Sequence, residues 1–111
     1  MGIEAMYGVE FISSMNVGGY GVLILETGRV LGGDSSFTFI GDYEIENHVL
    51  KANVKCNNDR EILTSVFGDI KEFTLKLEGT VAEKEFVLSG YVIEEPSKTI
   101  NVKLTRRAEL P

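Results

Sequence analysis

Eight short segments with strand character follow one another from Met6 to Arg106, joined mostly by connections of two to six residues. An antiparallel meander of that kind leaves an unpaired edge at each side unless the sheet closes, and closure into a barrel removes both. The expected fold is therefore all-β, an eight-stranded antiparallel up-and-down barrel. The 111 residues suit one domain of that kind, residues 1–111, with 1–5 a loosely ordered N-terminal extension.

The alternation is clearest late in the chain. Phe73, Leu75 and Leu77 alternate with Glu72, Thr74, Lys76 and Glu78, the pattern of a half-buried strand. Ile100, Val102 and Leu104 against Thr99, Asn101, Lys103 and Thr105 repeat it, as do Leu50, Ala52, Val54 and Cys56 against Lys51, Asn53 and Lys55. Tyr20 to Leu25 is apolar on both faces, which predicts a covering on its outer side by a loop, a helix or a second subunit. Met6–Ser13, Arg29–Gly32, Ser36–Glu44 and Lys84–Ile93 are less regular. Gly28 and Gly79 supply glycine where hairpins need positive φ. Residues 57–69 break the pattern: Ile62, Leu63, Val66 and Phe67 fall at helical spacing before Gly68, so one short helix or ordered loop is expected near 58–68.

Composition narrows the function. Seventeen acidic and eleven basic side chains give a net charge of −6, with basic residues scattered except for Arg106-Arg107. Nucleic-acid binding requires a focused positive face to displace phosphate counterions, and none is expected here. No run approaches the ~18 apolar residues of a membrane span, and the first six residues lack a signal-peptide pattern. A single cysteine forms no internal disulfide, which points to a reducing cytoplasm.

The catalytic survey returns little. Gly33-Asp34-Ser35 matches the Gly-Asp-Ser signature of one class of serine esterases, but no late histidine follows to serve as base. The only histidine, His48, falls in an expected turn, and the Gly32-Gly33-Asp34 run reads as a glycine-dependent bend. Cys56 occupies an apolar register, so it reads as a buried inert thiol. One histidine and one cysteine give no zinc-ligand spacing, and Glu83, Glu85, Glu94 and Glu95 flank turns as solvated charge. No catalytic residue, metal or cofactor is expected.

The order Tyr7-Gly8-Val9, Phe11-Ile12-Ser13, Gly19-Tyr20-Gly21-Val22-Leu23-Ile24, Gly28, Gly32-Gly33-Asp34 and Gly41 resembles the GrlR family, best over residues 7–56. These are small bacterial negative regulators of type III secretion gene expression. The resemblance implies a lipocalin-like (calycin) barrel, commonly a homodimer, that binds a transcriptional activator rather than DNA. In the pathogen regulator an exposed Glu-Asp-Glu-Asp run is associated with capture of the activator. By position that run falls on Ile45-Glu46-Asn47-His48, where only Glu46 is acidic, with Asp42 and Glu44 just upstream.

Two functions from different classes follow. As an interaction protein, the barrel uses Asp42, Glu44 and Glu46 to engage a basic segment of a regulator, while Tyr20, Val22 and Ile24 form a dimer interface. As a carrier or sensor, it holds a small hydrophobic ligand in a lumen lined by Tyr7, Phe11, Phe37, Phe39, Phe73 and Phe86. Side chains alone can fill an eight-stranded interior, so a packed core is the simpler expectation for those rings.

Overall fold

A computed structural model describes residues 2–14, 18–58 and 72–111. It contains β1 (Ala5–Ser13), β2 (Gly18–Glu26), β3 (Arg29–Gly33), β4 (Phe37–Glu46), β5 (Val49–Asn58), β6 (Glu72–Thr80), β7 (Glu85–Val92) and β8 (Glu95–Ala108). Each strand pairs antiparallel with the next, and β8 returns to pair with β1, closing the expected up-and-down barrel. The described residues contain no helix; apart from Asn58 at the end of β5, the segment where one was expected lies outside them.

Several strands outrun their apolar alternation because ladder pairing continues past it. β2 begins at Gly18, opposite Ile12, and β8 begins at Glu95, opposite Val92. Alternate residues of every strand point inward, so the core draws on all eight: Tyr7, Leu25, Val30, Leu50 and Leu104 are almost wholly removed from water. Among the described residues, no buried side-chain nitrogen or oxygen lacks a hydrogen-bond partner.

One end of the barrel carries both termini and the turns at Thr27-Gly28, Asn47-His48 and residues 81–84; the other carries the turns at 34–36 and 93–94. At the first end, residues 2–5 depart from the loose extension expected of them. Ala5 is buried within β1, and the Tyr7 hydroxyl donates to the Ile3 carbonyl at 2.6 Å. The Thr27 N–H donates to the Glu4 carboxylate. Arg106 supplies the tie, its guanidinium donating to the Gly2 carbonyl at 2.9 Å and to the Glu109 carboxylate at 2.9 and 3.1 Å.

Gly41 and Gly90 occupy inward registers where neighbouring backbone comes too close for a side chain. A Cβ at Gly41 would overlap the Asn53 carbonyl oxygen, and one at Gly90 the Lys76 carbonyl oxygen. Relief requires a shift of backbone rather than of a flexible side chain. Gly90→Ala is expected to destabilise the barrel by about 1–3 kcal/mol. An unchanged urea midpoint and slope would contradict that close approach.

Candidate functional site

The residues that suggested esterase chemistry are not brought together. Asp34 Oδ1 accepts the N–H groups of Ser36 (2.9 Å) and Phe37 (2.8 Å), and the Asp34 N–H donates to the Phe37 carbonyl at 3.0 Å. The Gly-Asp-Ser run is thus a side-chain-stabilised turn. His48 lies at the opposite end of the barrel, exposed, in a two-residue hairpin turn where Asn47 and His48 both have positive φ (53° and 66°). Among the described residues, no group of three or more His, Cys, Asp or Glu is disposed to hold a metal.

The turn carboxylates mostly have structural partners. Glu94 accepts the Thr74 N–H at 2.8 Å, a bond that holds its carboxyl below the usual range. Glu95 pairs with half-buried Lys98 at 3.1 Å and Glu85 with Lys103 at 3.5 Å, both carboxylates being largely exposed. Contacts of that kind contribute little to stability.

Inside the wall, all six candidate lumen residues face the core. Tyr7 packs edge-on against Phe86, Phe11 edge-on against Phe39, and Phe37 tilted against Phe73, with centroids 5.6, 6.2 and 5.6 Å apart. Tyr7, Phe37, Phe73 and Phe86 are buried, whereas Phe11 and Phe39 are partly exposed. That difference marks a void. A cavity of about 220 Å³ is lined by Phe11, Phe37, Phe39 and Phe73 together with Leu75 and Val102, and reaches the turn at 34–36 and the start of β2. Among the described residues the interior is therefore uneven: filled by side chains towards the termini, with the void on the side of the 34–36 turn.

Cys56 also lines the cavity. Burial pushes its thiol up to about 12, with the Asp34 and Glu94 carboxylates adding to the rise. The folded thiol therefore holds its proton above the ordinary value of 9.0 that governs the unfolded chain. The sign follows from linkage: this contribution to stability is complete below pH 9 and is lost as pH rises from about 9 to about 12. At pH 8 the folded thiolate fraction should be about a thousandfold below that of a free thiol of pKa 9, since 12 − 9 = 3 decades. Disulfide-reagent titration should show a slow native thiol that becomes fast in denaturant. Rapid native reaction at pH 8 would contradict this environment.

On the outside, none of the described residues supplies the covering expected over Tyr20–Leu25. Tyr20 is 77% exposed and Val22 52%, with Ile24 half-buried. Ile24 belongs to a longer apolar row. Strand register sets Met6 of β1 beside Ile24 of β2, Ile24 beside Leu31 of β3, and Leu31 beside Ile40 of β4. Ile40 is itself 59% exposed. A contiguous apolar strip across four strands is the kind of surface that marks an interaction site. Met6, Leu31 and Ile40 were missed in the sequence because they belong to three separate strands and become neighbours only through register. The legible signal was that Ile40 alternates with the inward Phe39.

Asp42, Glu44 and Glu46 point outward along β4 in line with Ile40, so all three candidate carboxylates stand on a strand face. The strip is not purely acidic. Arg29 is the cross-strand neighbour of Asp42, and Lys51 of Glu44. The Arg29 guanidinium is engaged by Glu26 at 2.6 Å. Comparison with models of known protein families and with curated proteins finds no match.

Proposed function

We propose that this barrel is a non-enzymatic interaction protein, cytoplasmic and bacterial, lipocalin-like in form and related to the GrlR negative regulators. Its partner is a protein with a basic segment, such as a transcriptional activator. The observation that carries this reading is the outward line of β4, where exposed Ile40 is continuous with Asp42, Glu44 and Glu46. Apolar contact supplies affinity at such a surface, and the carboxylates steer encounter and orientation.

The apolar row suits a second copy of the chain. A two-fold contact across β2 reuses Tyr20, Val22 and Ile24 on both subunits, with Met6, Leu31 and Ile40 extending it. Two substitutions of opposite type separate self-association from partner capture. Val22→Asp with Ile24→Asp, both on β2 and away from the β4 line, should shift the sedimentation coefficient from dimer to monomer at micromolar concentration; a chain already monomeric would remove the dimer from this reading.

The triple reversal Asp42→Lys, Glu44→Lys, Glu46→Lys lies on exposed positions and should move folding stability by about 0.5 kcal/mol or less per site. Its expected consequence is loss of a salt-sensitive basic regulator from affinity capture. Undiminished capture by the reversed protein would dismiss β4 as the docking edge. The void in the lumen favours a second reading, in which the barrel carries or senses a small hydrophobic ligand.

A further inference from the structure

We infer that the lumen is a binding site for a small uncharged apolar molecule, of one ring or two fused rings, and that it rejects both anionic ligands and long-chain lipids. The inference rests on the ligand reading of the lumen and adds the chemistry of the occupant. Size sets the first limit. An apolar void of about 150 Å³ holds benzene, and drug-sized ligands occupy about 300 Å³ or more. The 220 Å³ available here falls between those values.

Charge sets the second limit. Among the described residues that line the cavity, none is Lys, Arg or His, and Asp34 is the only carboxylate. Its Oδ1 accepts two backbone N–H groups, which fix the side chain beside the cavity, and no cation faces it among the described lining residues. A carboxylate or phosphate entering the cavity would lose its hydration and meet a like charge.

The aromatic rings set the third. Phe11 with Phe39 and Phe37 with Phe73 offer ring edges and faces to the space, an arrangement that complements a flat π-system. The opposite half of the barrel offers no such space, since Tyr7 and Phe86 close on each other there and Tyr7, Leu25 and Leu104 are almost wholly buried. A ligand therefore sits on the side of the lumen bearing the 34–36 turn and stops at mid-barrel.

The test is titration of the whole chain with naphthalene and indole, and in parallel with 2-naphthoate and palmitate, followed by thermal melting and nuclear Overhauser contacts to protein methyls. Naphthalene and indole should raise the melting midpoint and show contacts to Leu75 and Val102. 2-Naphthoate should bind about tenfold or more weakly than naphthalene. Leu75→Phe should abolish the naphthalene shift by filling the space; the methyl contacts give the same information in the unaltered protein. Equal or tighter binding of 2-naphthoate or palmitate would overturn the uncharged class and leave the ligand reading standing. Contacts to methyls outside the cavity would overturn the site. Absence of binding by all four compounds would overturn the inference and the ligand reading together, leaving the outer-wall reading untouched.

Discussion

The pairing of β1 with β8 is the contact on which the rest of the molecule depends, because it turns an eight-strand sheet into a wall without edges. It joins residues about a hundred positions apart, so its closure entropy must be met by everything else in the barrel. Tyr7 and Val9 of β1 and Val102 and Leu104 of β8 leave water only when the seam is made. Arg106 secures the same seam from one end by holding the Gly2 carbonyl and the Glu109 carboxylate. An open sheet would expose unsatisfied backbone on two strands as well as the inner apolar face.

Much of this was legible because strand periodicity is local. Phe73-Thr74-Leu75-Lys76-Leu77 announces its buried face with no knowledge of its neighbours, and the structure buries Phe73, Leu75 and Leu77 as that pattern requires. Closure was legible as well, since an odd edge in so short a meander has no other cover. What escaped were properties that exist only between strands. The Met6, Ile24, Leu31 and Ile40 row has no sequence signature, since its members are separated by 18, 7 and 9 positions and meet by register alone. The void beside Phe11 and Phe39 likewise depends on how rings from distant strands divide the lumen, and ring counting treats a filled and a half-filled barrel alike. Arg106 looked like part of a small basic pair, and only the folded chain brings the N-terminal carbonyls to it.

The wall separates two chemistries by a single alternation. Along β4, Phe37, Phe39, Gly41 and Tyr43 face the lumen while Ile40, Asp42 and Glu44 face solvent. In the proposed readings the inner set takes an apolar guest and the outer set a protein, and neither surface needs the other's residues. The reactive groups are kept apart by the same wall: the histidine sits in one turn, the Asp34 carboxylate is held in another at the opposite end, and the thiol is buried between them in a protonated state.

Alternation also makes the arrangement fragile to register. A slip of one residue along β4 would carry Asp42 and Glu44 into the lumen and Phe39 to the surface, so both proposed binding faces would be lost at once. The inward glycines oppose such a slip. Gly41 lies where the Asn53 carbonyl crosses, and Gly90 where the Lys76 carbonyl crosses, so only those registers bring a residue without a side chain to each close approach. Moving Asp42 or Tyr91 into either position would drive a Cβ into a carbonyl oxygen. Backbone crowding at two points thus holds the register that keeps aromatic rings inside and carboxylates outside, the separation on which both proposed faces depend.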